Sequence, residues 1–162
     1  MKAILNLPFK KETKANLMLK AFAWIKIPVL RFLNPRIIRL DDEVCEVKIV
    51  LNRRSKNHLN SMYFGVLACG ADLAAGMAAM YTIMENNTWL HLSFKDFHAD
   101  FHKRAETDVI FRCESVGAIQ QLVKRAIETK ERVEMVVPVQ AICSNMDTPV
   151  ATFKLTLSLK KK

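Results

Sequence analysis

The most regular pattern in the chain lies near its end. Ala151, Phe153, Leu155, Leu157 and Leu159 alternate with Thr152, Lys154, Thr156, Ser158 and Lys160. A period of two marks a strand with one buried face. The segment EVCEVKIVL repeats it, with Cys45, Val47, Ile49 and Leu51 set against Val44, Glu46, Lys48 and Val50. So does TDVIFRCES, where Thr107, Val109, Phe111 and Cys113 share one face. RVEMVVPVQAIC reads as a strand in which Pro138, lacking an amide donor, predicts an edge position or a bulge. WLHLSFKDFHADF reads as a further strand with an irregularity near Asp96.

Elsewhere the period lengthens. Ser115 precedes a stripe of Ile119, Leu122, Val123, Ala126 and Ile127, which predicts a short capped helix over 116–129. Residues 12–33 predict a helix kinked near Pro28. Its apolar residues run almost all the way round, broken by Lys20, Lys26 and Arg31, so it must pack on protein or lie in a membrane interface. Residues 62–84 hold one charge, Asp72, and are long enough to span a bilayer. A carboxylate at the centre of a membrane would cost about 2.5–3.5 kcal/mol. The flanking strands are patterned for a boundary between water and protein. Ala68, Gly70, Ala71, Ala74, Ala75, Gly76, Ala78 and Ala79 give this helix the small surface that a wrapping sheet needs. It is therefore expected to be a buried core helix, and the whole an α+β fold with an antiparallel sheet of five to six strands.

At 162 residues, with no repeat, linker or low-complexity run, the chain reads as a single domain: a helical extension over 1–35 and a core over 36–160. The net charge of +9 is uneven, at +8 over residues 1–60, −3 over 61–100 and +4 over 101–162. A basic front end favours anionic partners: phosphate-bearing small molecules, an acidic carrier protein, or a membrane surface touched through residues 12–33. No nucleic-acid recognition pattern is present. Cys45, Cys69, Cys113 and Cys143 lack metal or redox spacing, so reduced thiols, a cytoplasmic setting and no secretory signal are expected.

The segment NHLNSMYFG, followed after six residues by Asp72, resembles a known motif. In the phenylacetate-degradation type of hotdog-fold thioesterase the pattern is N-x-x-G-x-x-H-G-G, six residues, then D. Asn57, Gly65 and Asp72 match it in register, while Asn60, Tyr63 and Phe64 replace the first glycine, the histidine and the middle glycine. The resemblance covers roughly 36–160, and the S-M-Y-F-G run (61–65) is similar to an uncharacterised branch of that superfamily.

The resemblance implies a hotdog fold, a long central helix wrapped by the sheet. It also implies hydrolysis of an acyl thioester, carried by coenzyme A or an acyl carrier protein, with no resident cofactor and no metal. Asp72 would be general base or nucleophile, Asn57 would position water or substrate, and the amides at Phe64 and Gly65 beside Tyr63 would stabilise the oxyanion. Asp72 lies eight residues beyond Phe64, roughly 12 Å along a helix at 1.5 Å per residue. Such families combine the helix start of one subunit with the acid of another, so a homodimer, alone or paired into a tetramer, is implied. Lys103 and Arg104 fall where coenzyme A phosphates would arrive, or are solvated surface cations. His98, Asp100 and His102 alternate, as a metal site or as a solvated face. The replacement of His and Gly by Tyr63 and Phe64 leaves a second reading open, a non-catalytic module that holds acyl groups in the same fold.

Overall fold

A computed structural model describes residues 2–161. Three helices open the chain: α1 (Lys2–Leu5), α2 (Lys11–Ile25) and α3 (Pro28–Leu33). The expected kink at Pro28 is a full break. Ile27, forced away from helical geometry by the ring that follows it, sits at φ −131°, and Pro28 opens α3. Asn34 then stops α3 in the left-handed region at φ 50°.

The sheet comprises β1 (Arg36–Leu40), β2 (Cys45–Ile49), β3 (Leu90–Phe101), β4 (Val109–Cys113), β5 (Arg132–Cys143) and β6 (Pro149–Lys161). Its order is β1-β2-β4-β5-β6-β3, antiparallel throughout. The central helix α4 (Phe64–Glu85) lies across β2, β4 and β5, with α5 (Val116–Thr129) beside it. The long apolar helix is thus enclosed by a sheet, as its small residues predicted. Gly70 meets the sheet most closely: a Cβ there would lie 2.2 Å from the Phe111 ring.

The alternation in β6 holds on the inner face, where Ala151, Phe153, Leu155, Leu157 and Leu159 are all buried. On the outer face Ser158 departs from expectation and is buried too, because Arg132 Nη1 donates to its hydroxyl at 2.7 Å and it donates to Glu134 at 3.1 Å. Glu46 is likewise covered, held by Arg112 Nε at 2.7 Å on the neighbouring strand. The irregularity near Asp96 is a register shift between Phe94 and Phe97, where Asp96 accepts the amide of Thr156 at 3.1 Å. Ser115 stands at the start of α5, but through its carbonyl, which accepts from Ile119; its hydroxyl makes no cap.

Pro138 corrects an expectation. Its strand is interior, and the register shift in β5 falls between Ala141 and Ile142. The proline is tolerated because β4 pairs with β5 only as far as Gln140, leaving β5 locally one-sided at 138.

The two outer strands are treated differently. The Asn16 carboxamide of α2 donates to the Ile37 carbonyl at 2.7 Å and accepts its amide at 2.9 Å, so the edge of β1 is occupied. β3 is paired on one side only, by β6, and shows Phe97 and Phe101 at its surface, both packed against Phe153, the first tilted and the second edge-on.

Candidate active site

The residues singled out in the sequence fall in two places. Asn57, Tyr63, Phe64, Lys103 and Arg104 line one depression of about 410 Å³ at the start of α4, with Phe101 on its wall. The approach to the helix is fixed by backbone: Tyr63 N donates to Ser55 O at 2.8 Å and Met62 N to Ala105 O at 2.8 Å. Tyr63 is the N-cap but offers no side-chain cap. The amides of Phe64 and Gly65 find no acceptor among the described residues, as the first amides of a helix do when nothing caps them. With the helix dipole they present partial positive charge to the depression. Lys103 and Arg104, both exposed and in no ion pair among the described residues, add full charges beside it.

Two features here were not visible in the sequence. The Tyr63 ring folds back over Gly65 so closely that a Cβ there would come within 2.7 Å of it, and it rests against Phe64 with ring centres 4.7 Å apart. A side chain at 65 would therefore have to turn the Tyr63 ring, itself 47% exposed, out of this position. Asn57 is committed locally. Its carboxamide oxygen accepts from Leu59 N at 2.9 Å, Ser61 N at 3.2 Å and the Ser61 hydroxyl at 3.2 Å, the work of a turn residue.

Asp72 lies elsewhere, on the wall of a cavity of about 930 Å³. The cavity runs between α4, the underside of α2 and α3, and the first half of β3, and its walls include Phe22, Leu30, Leu73, Met77, Met80, Met84 and Phe94. Among the described residues, Asp72 and Lys26 are its only charged lining residues. No described residue donates a hydrogen bond to the Asp72 carboxylate, and burial among apolar walls pushes its pKa above the usual 3.8. One turn before it, the half-buried Cys69 thiol is pushed up as well, by burial first and by Asp72 second. A volume near 930 Å³ reaches the upper part of the range for ligand pockets, about 300–1,000 Å³. A base of raised affinity for protons at the side of a lipid-sized apolar chamber can accept a proton from water and hold a hydrocarbon beside it.

The histidine pattern on β3 does not gather. His98 faces Asp100 at 3.4 Å, while His102 turns to the Thr152 hydroxyl at 3.0 Å. Among the described residues no group of three His, Cys, Asp or Glu side chains could hold a metal ion. All four cysteines are free; burial holds the Cys113 thiol up at about 11.

The same architecture occurs in solved structures. A protein of unknown function from Chlorobaculum tepidum superposes with a TM-score of 0.80 at 13% identity, covering 93% of this chain and 97% of that one. A provisionally assigned thioesterase from Shewanella oneidensis gives 0.76 at 14% identity, covering 93% and 99%. A thioesterase from Haemophilus influenzae gives 0.66 at 11% identity, covering 94% and 92%. At such identities the likeness establishes the fold, which is the hotdog fold. No curated protein matches the sequence. A family model, described as a domain of unknown function (DUF4442), matches residues 15–159, nearly the whole chain, and so the protein belongs to that family.

Proposed function

We propose that the protein hydrolyses acyl thioesters, with Asp72 as the chemical residue and coenzyme A or an acyl carrier protein as the leaving thiol. One observation carries this reading: a single carboxylate that accepts a hydrogen bond from no described residue, raised in pKa, lines an apolar chamber of about 930 Å³. The names of two of the structural neighbours point the same way. In the reaction Asp72 takes a proton from water as the oxygen adds to the thioester carbonyl. The oxyanion that forms is stabilised by the amides of Phe64 and Gly65. Its collapse breaks the C–S bond, and the thiolate leaves with the proton returned by Asp72, giving a carboxylic acid and a thiol. Asp72 can instead attack the carbonyl directly, with water cleaving the resulting anhydride. The carrier's phosphates would meet Lys103 and Arg104, and the chamber's size favours medium or long acyl chains.

The amides and the acid are too far apart on α4 to serve one carbonyl, so the reading requires a second copy of the chain. The open edge of β3, with Phe97 and Phe101 exposed along it, supports a homodimer built there. Within such a pair Asp72 of each chain would work with the helix start of its partner.

The crowding of Gly65 by the Tyr63 ring favours one alternative, a module that binds acyl thioesters without cleaving them. Thiol release across a panel of acyl-coenzyme A substrates separates the two. For the enzyme, Asp72→Asn and Asp72→Ala lower turnover by about 10²–10⁴-fold, the usual worth of a positioned base, with circular dichroism unchanged. Turnover that survives both substitutions would overturn the assignment of Asp72. Saturable binding without thiol release would favour the module.

A further inference from the structure

The outer face of α2 and α3 is apolar where it meets solvent. Trp24 is 63% exposed, Ile25 74% and Phe32 53%, within one short stretch of chain. The inner face of the same stretch, through Phe22, Ile27 and Leu30, is a wall of the chamber that Asp72 faces. Ile25 belongs to both: it is among the most exposed large apolar residues of the molecule and it lines the chamber, as does Trp89, 70% exposed. Together with Lys26 these residues form the mouth, and it opens beside the break between α2 and α3.

Along the chain, the segment that forms this face carries charge of one sign. Residues 13–40 contain six basic side chains and no acidic one. The Arg31 guanidinium stacks on the Trp24 ring at 3.3 Å, and that of Arg54 lies 5.5 Å from the Phe32 ring. Lys20, Lys26 and Arg31 are exposed and make no ion pair with a described carboxylate. Aromatic and aliphatic side chains bracketed by cations fit an interface between anionic headgroups and acyl chains. A second copy of the chain would bring the same cations face to face, which costs free energy and disfavours self-association here.

We propose that this face docks on an anionic phospholipid bilayer, and that the acyl chain of a thioester partitioned into that surface enters the chamber through the mouth at Ile25, Lys26 and Trp89. The inference deepens the thioesterase reading by giving the source of the acyl chain. Docking itself needs no hydrolysis, so vesicle binding and turnover succeed or fail separately.

The test is flotation of the full chain with vesicles of phosphatidylcholine alone, and of phosphatidylcholine with phosphatidylglycerol in equal parts, at low and high salt. A Trp89→Phe variant leaves Trp24 as the only indole and reports its surroundings by emission. Expected are flotation with the anionic vesicles alone, loss as salt rises, and a blue shift of Trp24. Each of Lys26→Gln and Arg31→Gln should weaken binding about fivefold, and Trp24→Ser with Ile25→Ser about tenfold or more. These side chains are exposed, so circular dichroism should not change. No flotation at either salt would overturn the proposal, as would flotation undiminished by the paired Ser substitutions. A Trp24 blue shift that follows protein concentration without vesicles would also overturn it, by showing that a second copy covers the face.

Discussion

Replacing Gly70 by alanine tests how the helix that carries Asp72 is seated. The new Cβ would lie 2.2, 2.3 and 2.5 Å from three atoms of the Phe111 ring, which is itself fully buried. Ordinary contact begins at 3.4 Å, so α4 and β4 must part by 1.2 Å or the ring must leave its rotamer. Overpacking a core costs about 1–3 kcal/mol, and a clash with three atoms of a rigid ring belongs at the upper end. Alanine returns about 1 kcal/mol of helix propensity. The net loss is about 2 kcal/mol, which lowers the urea midpoint by about 1 M for a slope near 2 kcal/mol per molar. Protein concentration is held fixed across the series, because any self-association would make the midpoint depend on it. Asp72 lies about 200° round the helix from Gly70, so a displaced α4 also moves the acid within its chamber. Thiol release should fall along with stability. Phe111→Leu in the Gly70→Ala background should recover part of the loss, since the two positions are coupled. A midpoint that stays or rises in Gly70→Ala would refute the close approach of helix and sheet.

Gly76 predicts the opposite sign. A Cβ there meets only Phe94, at 3.7 Å, so Gly76→Ala should gain up to about 1 kcal/mol. Gly76→Phe should fill the chamber and shift the acyl-coenzyme A preference to shorter chains; an unchanged profile would place the acyl group elsewhere. Replacing Lys103 and Arg104 together by alanine should raise KM about tenfold at constant kcat, from roughly 0.7 kcal/mol per exposed contact, and an unmoved KM would rule out phosphate binding there. Asp72 also makes stability depend on pH. Unfolded, it ionises near 3.8; folded, burial raises that value, so the penalty for ionisation is absent below 3.8 and grows as pH rises through the folded pKa. Asp72→Asn should therefore stabilise the protein at neutral pH and not at acid pH. Equal effects in urea titrations at both would refute the buried-acid account.

The parts of the fold legible in the sequence are those with an unbroken period. The inner face of β6 and the stripe of α5 follow directly, and the Ala- and Gly-rich pattern marks the helix to within two residues of its ends. β1 leaves no mark in the sequence because its pattern breaks: a register shift between Ile37 and Arg39 puts the buried Ile37 and Leu40 three apart, and no alternation can form. Ser158 misled because its cover comes from Arg132 and Glu134 on another strand. The site was legible only in part. Motif spacing singled out Asp72 and the helix start. The chamber is made by α2, α3, α4 and β3 together, and no local pattern encodes a space between distant segments. The tie between Asn57 and Ser61 is local, and the frequency of Asn in turns was the available signal for it.

Met77, Met80 and Met84 line one side of the chamber in successive turns of α4. Thioether side chains are unbranched and change rotamer at little cost, so this wall yields to its contents without moving the backbone. Discrimination among chain lengths should then be graded, each added methylene being accommodated by a small rearrangement until the methionines have no further rotamer to offer. The same softness carries a chemical liability. Oxidation to sulfoxides would make that wall polar and stiff, and a chamber built for hydrocarbon would lose its contents before the fold lost its shape.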